Sequence, residues 1–458
     1  MQYINQEKIF NTIEKTKNAN NKVVLDILAK TKTAKRLSLE ETAILLNVED
    51  EGLISEIYKA ARELKDDIYG NRVVLFTPLY TTNNCVNKCL YCGFQCDNKA
   101  ITRKTLTPQE VTDETEWMLK RGHMRILMVA GEATADKNYI NHLLDSIKAI
   151  YKAEDNGHSI KRVNVNAAPL STEDFRKLKE AGIGTYQLFQ ETYHEETYRK
   201  MHVFGPKSDP DYRISTMHRA FEAGIDDYGI GVLYGLYDYK FETLAMLMHV
   251  EELERTLGVG PHTISMPRLE DATGVDVDIC NQYPLSDDEF KKLVAVLRLS
   301  VPYTGLIMST RETAELRDEL LDLGVSQISA ESSTTPAGHT DAEDGGQFET
   351  HDSRGLEELV QAMLAKGYLP SFCAACYRKD RTGETFMDIT THGHIKSMCS
   401  INGLSTLKEY LRDFAGEETQ RMGDAFIERM LASLPDKENC TACDVLERVE
   451  KGEKDVFV

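Results

Sequence analysis

Nine of the ten cysteines in this 458-residue chain fall into groups, and the groups have ligand-like spacing. Cys85, Cys89 and Cys92 form a Cys-x3-Cys-x2-Cys run, with Cys96 just beyond it. Cys373, Cys376 and Cys399 make a second set, Cys440 and Cys443 a third, and only Cys280 stands alone. Clustered thiols in a large chain point to metal or redox chemistry. Three thiolates can hold three irons of a [4Fe–4S] cubane and leave one iron open to a small chelating molecule. The alternative is zinc, whose loops usually carry a Cys-x2-4-Cys pair backed by a distant second pair. The tight first triad favours the cubane. For the second triad, spacing alone leaves both readings standing, because His392 and His394 near Cys399 could complete a Cys3His zinc site.

Those residues need a frame that brings them together. After a helical opening, with a Ser-x-x-Glu capping box at Ser38 and apolar residues at Leu53, Ile54, Ile57 and 60–64, the pattern changes. Eight short β-branched runs follow, at 72–77, 125–130, 162–166, 184–189, 228–233, 263–266, 304–308 and 325–329. Amphipathic stretches separate them, among them 172–181, 213–223, 242–257, 287–299 and 312–323. Eight strands each followed by a helix predict an α/β fold, a (β/α)8 TIM-type barrel, with a long open sheet as the alternative. The expected domains are a helical extension over 1–70, the barrel over 71–335, and a mainly helical domain over 336–458. A polar, Gly-rich stretch at 335–350 reads as a loop leaving the barrel.

Composition narrows the function. The 74 acidic residues against 54 basic ones give a net charge of −20, a surface that repels nucleic acid and anionic lipid. No run approaches the ~18 apolar residues of a membrane span. The start lacks a signal-peptide layout, so a soluble cytoplasmic protein is expected, with reduced thiols and no disulfide framework.

The Cys85/Cys89/Cys92 spacing after a first strand, with Tyr91 before the last cysteine, resembles the radical S-adenosylmethionine (SAM) enzymes. The resemblance implies a [4Fe–4S] cluster whose open iron is chelated by SAM, and reductive cleavage to a 5′-deoxyadenosyl radical. It also implies roles for residues at the strand ends. Gly131-Glu132 takes the place of the turn that receives the methionine amino group, with Ala130 where a glycine is expected. Glu191 would accept the ribose hydroxyls, Arg213 would clamp the methionine carboxylate, and Gly231, in Gly229-Ile230-Gly231, would let backbone approach the adenine.

The stretches 184–194, 234–239 and 260–268 resemble the tyrosine lyases within that superfamily. His262 and the C-terminal Cys-x2-Cys-x22-Cys further resemble the maturase branch, which builds an iron carbonyl-cyanide precursor of the [FeFe]-hydrogenase active site. The likeness runs from about residue 20 to the closing Lys451–Asp455. It implies cleavage of the tyrosine Cα–Cβ bond to p-cresol and dehydroglycine, then conversion of dehydroglycine to CO and cyanide at a second [4Fe–4S] cluster. That cluster would carry an extra iron held by exogenous cysteine and His262. Arg311 would bind the tyrosine carboxylate, with Arg268 the alternative. Implied partners are tyrosine, SAM, cysteine, an electron donor such as ferredoxin or flavodoxin, and hydrogenase maturation proteins. Three features depart from the maturase pattern: Glu331 where glycine is expected, the turn 271–274, and the extra pair Cys440/Cys443. They leave room for a paralogue with altered substrate or for a 2-iminoacetate synthase. A non-catalytic iron–sulfur scaffold is the reading from another class.

Overall fold

The computed structural model describes residues 1–341, 345–391 and 395–458, so His392 and His394 lie outside the described residues. Eight parallel strands form one closed barrel: β1 (Arg72–Thr82), β2 (Arg125–Ala130), β3 (Arg162–Asn166), β4 (Tyr186–Glu191), β5 (Tyr228–Val232), β6 (Thr263–Ser265), β7 (Gly305–Met308) and β8 (Gln327–Ser329). Closure comes from β8 pairing back on β1, with Val74, Leu75 and Phe76 opposite Gln327, Ile328 and Ser329. The eight expected strands are all present, and the open-sheet alternative is excluded.

Each strand leads into helix, as the amphipathic stretches predicted. The expected helix at 213–223 is instead two short ones, Pro210–Ile214 and Thr216–Glu222, broken at Ser215. The Ser215 hydroxyl donates to the Asp211 carbonyl at 2.7 Å, the local side-chain bond by which serine competes with a regular helix. Ahead of the barrel, Ser38 and Glu41 make the predicted capping box on Leu39–Leu46. The helix Glu51–Tyr69 buries Ile57, Ala61, Leu64 and Ile68 along one face. Leu53 and Ile54 are only half-buried. No described helix is long and apolar enough to cross a membrane.

The sequence pattern misses a ninth strand, β9 (Leu369–Ser371), which pairs with Arg72–Val74 at the start of β1. It is short and contains Pro370, which has no N–H for a ladder and so suppresses the strand signal. Its function is positional: Cys373 lies two residues past its end. The helix Leu356–Ala365 precedes β9 and the helices Ile395–Asp413, Glu417–Ser433 and Asp436–Glu450 follow, and their buried faces join the same apolar core as the barrel.

Arg298 fixes the entry to β7. Its buried guanidinium donates to the carbonyls of Gly324, Pro302 and Thr304 at 2.8–3.0 Å. Arg298→Leu strands three buried acceptors, each worth ~1–3 kcal/mol. It should lower the midpoint of thermal unfolding by several degrees, measured by circular dichroism. An unchanged midpoint would show that the clamp does not hold this corner.

Candidate active site

Inward-facing residues alternate along the strands, and at the C-terminal end of the barrel they open into a cavity of about 1400 Å³, solvent at its mouth included. Cys85, Cys89 and Cys92 line it from the loop after β1, together with Tyr91, Gly131, Glu132, Glu191, Arg213 and Arg311. Sequence order scatters these residues over more than two hundred positions; barrel closure brings them to one mouth.

The cysteine loop is seated by its neighbours. Val86 N–H donates to the Glu132 carbonyl at 3.0 Å, Leu90 N–H to Met201 at 3.0 Å and Gly93 N–H to Gln347 at 3.1 Å. Two glycines permit the fit. A Cβ on Gly93 would stand 2.2 Å from the Gly346 carbonyl, and one on Gly131 would stand 2.4 Å from the Asn84 carbonyl. Gly131 N–H also donates to Thr82 at 2.8 Å. Gly131 thus makes room for the cysteine loop, a role distinct from the methionine contact implied by its place in the sequence.

Neither cysteine triad draws its sulfurs together as ligands of one ion would be. Among the described residues, the one group of three ligand atoms within 4.8 Å of one another is His158, Glu409 and Asp413. Four ligands around a single zinc, at ~2.3 Å from the metal, would hold their sulfurs under ~4 Å apart. At least one pair of sulfurs in each triad stands further apart than that, which leaves room for a larger group such as a cubane. Burial pushes the Cys85 thiol up to about 11, with the Glu132 carboxylate adding to the effect, so bound iron would have to displace the proton.

Beside the triad lies a buried charge network. Arg213 Nη1 donates to Glu132 Oε1 at 2.8 Å, its Nε to the Phe189 carbonyl at 2.7 Å, and its Nη2 stands 3.8 Å from Glu191 Oε1. Lys207 Nζ donates to Glu191 Oε1 at 2.7 Å, and Asn87 Nδ2 to Glu132 Oε2 at 2.7 Å. Burial opposes charge on Glu132, but Arg213 and then Lys207 outweigh it and hold the carboxyl below its ordinary range. Burial likewise works against Arg213, and Glu132 overcomes it, so the guanidinium is held protonated above its usual range. Glu191 sits at φ 73°, in the left-handed region a non-glycine residue adopts at some cost, at an irregularity in the β4–β5 register. The Tyr91 hydroxyl is paired with His202 Nε2 at 2.9 Å. Gly231 does not line the cavity; a Cβ there would strike Phe189 and the Ser265 carbonyl at 2.7 Å, so it makes room for the Phe189 ring that does.

The two candidate arginines separate cleanly. Arg268 Nε donates to both oxygens of buried Glu312 at 3.1 Å, and Nη1 binds the Leu285 carbonyl at 2.9 Å and Asp287 at 2.8 Å. It lies outside the cavity. Arg311 faces the cavity, stacks on the Phe348 ring at 3.3 Å, and is held by the Arg268 carbonyl at 3.3 Å. Among the described residues no carboxylate is within ion-pair distance of it, and burial lowers its affinity for a proton against the pull of Tyr80 and Glu191.

Several lining residues carry no sequence signal of their own. Gln347 and Phe348 belong to the stretch read as a loop leaving the barrel; it returns across the mouth, where the Tyr80 hydroxyl donates to Gln347 Oε1 at 2.8 Å. Asn87 and Lys207 look like ordinary polar residues until Lys207 N–H donates to Asn87 Oδ1 at 2.9 Å and ties the two loops. The departures from the maturase pattern point away from the cavity. Glu331, at φ 47°, turns its carboxylate to His123 Nε2 at 2.8 Å and adds no charge to the pocket. The 271–274 turn packs outward on Asn98, which donates to the Thr273 carbonyl at 2.8 Å. Cys96, Cys440 and Cys443 are exposed.

Cys373, Cys376 and Cys399 gather at the opposite end of the barrel, around a cavity of about 630 Å³. The strand starts contribute Arg72, Arg125, His262 and Gln327. His262 stacks on Phe386 at 4.0 Å, and its Nδ1 lies 2.9 Å from Asp227 Oδ2, off the line of an ideal hydrogen bond. A carboxylate behind one ring nitrogen of a cavity-lining imidazole is an arrangement that metal-binding histidines use. Burial first, then the neighbouring thiols Cys399 and Cys373, pushes Cys376 up to about 12. Among the described residues the buried Nε atoms of Arg72 and Arg125 have no hydrogen-bond partner, which suits an anionic group in this cavity. Between the two sites the barrel interior mixes polar Gln187, Thr263, Ser265, Gln327 and Ser329 with apolar Val74, Phe76, Leu127 and Ile307, and Gly229 and Gly305 make room for the glutamine side chains beside them.

Comparison with known proteins agrees with this geometry. The radical SAM superfamily matches residues 79–250, and the Biotin and Thiamin Synthesis associated domain matches residues 265–369. The 2-iminoacetate synthase of Escherichia coli (strain K12) is 30% identical over 355 residues, covering 77% of this chain and 90% of the relative. Among solved structures, HydG, a maturase of the [FeFe]-hydrogenase, superposes with a TM-score of 0.97 at 48% identity over 100% of both chains. HydG from Carboxydothermus hydrogenoformans superposes with a TM-score of 0.81 at 40% identity, over 97% of this chain and 100% of that one.

Gly131→Ala should unseat the cysteine loop, since the Asn84 carbonyl it meets is backbone and cannot rotate away. Iron analysis after anaerobic reconstitution should then show the variant losing the iron of the first triad and keeping that of the second. Full iron at both would mean that the Gly131 contact is not what seats the loop.

Proposed function

Because the chain belongs to the radical SAM superfamily, in the group that holds HydG and the 2-iminoacetate synthases, we propose that it is a tyrosine lyase of the [FeFe]-hydrogenase maturase kind, cleaving tyrosine to p-cresol and dehydroglycine and converting dehydroglycine to CO and cyanide. The observation that carries this reading is the pair of cysteine-lined cavities at opposite ends of one barrel, the upper one holding an arginine with no acidic partner. Held by Cys85, Cys89 and Cys92, a [4Fe–4S] cluster with one open iron would supply the electron that cleaves SAM to a 5′-deoxyadenosyl radical. Held by Cys373, Cys376 and Cys399, with His262 at hand for an extra iron and exogenous cysteine, a second cluster would supply the metal for the CO and cyanide stage.

The chain's own residues divide the remaining work. Arg213, Glu132, Glu191 and Lys207 offer both signs of charge to a zwitterionic amino-acid end and hydroxyl-bearing ribose, fixed in place before any ligand arrives. Arg311 presents its guanidinium to the tyrosine carboxylate, a charge-assisted pairing that orients the amino group. Phe348 and Gln347 narrow the mouth and exclude water from the reacting groups.

An anaerobic assay with SAM, tyrosine and a low-potential reductant tests the reading: 5′-deoxyadenosine, p-cresol and CO should appear together. Release of p-cresol and dehydroglycine without CO would favour a 2-iminoacetate synthase, and no SAM cleavage would leave a scaffold. Cys399→Ala should keep p-cresol and lose CO; retained CO would remove the second cluster from the scheme. Arg311→Ala should raise KM for tyrosine about 100-fold, the worth of ~3 kcal/mol of charged hydrogen bonding. Unchanged KM would exclude Arg311 as the carboxylate partner.

A further inference from the structure

A third cluster of ligating side chains lies away from both cysteine triads. His158 sits on a tight hairpin, Glu154–Asp155 paired with His158–Ser159, whose turn residues Asn156 and Gly157 have φ values of 48° and 78°. Across from it, Glu409 and Asp413 occupy successive turns of the helix Ile395–Asp413, which also carries Cys399. His158 is 2% exposed and packs on Phe414 at 4.7 Å.

The two ring nitrogens face different partners. Nε2 lies 2.9 Å from Asp413 Oδ2, placed to donate its proton to that carboxylate. Nδ1 faces Glu409 Oε1, 3.5 Å away, and makes no well-formed hydrogen bond among the described residues. A bare nitrogen and a carboxylate oxygen facing each other across that gap repel, and a cation held between them turns the repulsion into two ligand bonds. The gap is too long for an N–H···O bond, but two ligands at ~2.1 Å from one tetrahedral zinc lie ~3.4 Å apart. Asp413 behind the ring completes the carboxylate–histidine–metal arrangement.

We propose that His158 and Glu409, with Asp413 orienting the imidazole, form a nitrogen–oxygen site for a zinc-class divalent cation that fastens the hairpin to the helix carrying Cys399. The neighbouring charges leave Glu409 available. Arg412 is committed to Asp413 through two bonds of 2.6 Å, and Lys161 lies 3.8 Å from Asp455. Asp455 contributes only its N–H to Glu409 Oε2, at 2.8 Å, leaving Oε1 free. The site is independent of the reaction assigned to the barrel.

Zinc content isolates the site by difference, because the cysteine triads are the same in every variant. After anaerobic cluster reconstitution, zinc dialysis and gel filtration, the full chain should hold one more zinc than His158→Gln or Glu409→Gln. Asp413→Asn should keep the site with about 10–100-fold weaker affinity. Zinc should raise the thermal midpoint of the native chain above its value in chelator, and should leave those of His158→Gln and Glu409→Gln at their own values in chelator. Equal zinc in all three overturns the proposal. So does a native chain whose stability responds to pH through His158 but not to zinc, since a proton would then bridge the two carboxylates.

Discussion

Pairing of Val74–Phe76 with Gln327–Ser329 closes the barrel, and the rest of the molecule depends on that closure. It sends the C-terminal ends of eight strands to one mouth and their N-terminal ends to the other. β1 is the longest of them at eleven residues, and its alternation carries the interior from one site to the other. Arg72 and Val74 line the lower cavity, and Phe76, Pro78 and Tyr80 the upper. At ~3.3 Å per residue, that single strand spans the distance between the two triads' ends.

The upper cavity is built from charges that are paired before any ligand arrives. Burying Arg213, Lys207, Glu132 and Glu191 separately would be prohibitive; burying them as a network leaves each with a partner of opposite sign. Arg311 is the exception, with no carboxylate at ion-pair distance among the described residues. Arg268 has taken Glu312, and the Arg268 carbonyl then holds Arg311 against Phe348. The paired arginine thus positions the unpaired one at the cavity wall.

The residues that set this chain apart from the maturase pattern prove to be peripheral to the cavities. Glu331 adopts a left-handed backbone that turns its carboxylate outward to His123. The 271–274 turn braces the segment after the first cysteine loop, and the Cys440/Cys443 pair stays on an exposed helix. The upper cavity therefore keeps a lining free of the charge that Glu331 threatened.

Spacing and periodicity are local, and what they could carry, they carried. The Cys85/Cys89/Cys92 run, the eight strands and the capping box at Ser38 were legible because each is encoded within a few neighbouring residues. Ninth-strand pairing at Leu369–Ser371, the return of Gln347 and Phe348 over the mouth, and the tie between Asn87 and Lys207 were not, because each is a contact between distant segments with no pattern of its own. The choice between Arg268 and Arg311 shows the division most plainly. By itself the sequence determined that a cation would stand after the sixth and seventh strands; only the tertiary structure decided which one remains unpaired, because an ion pair goes to whichever carboxylate the fold brings within reach.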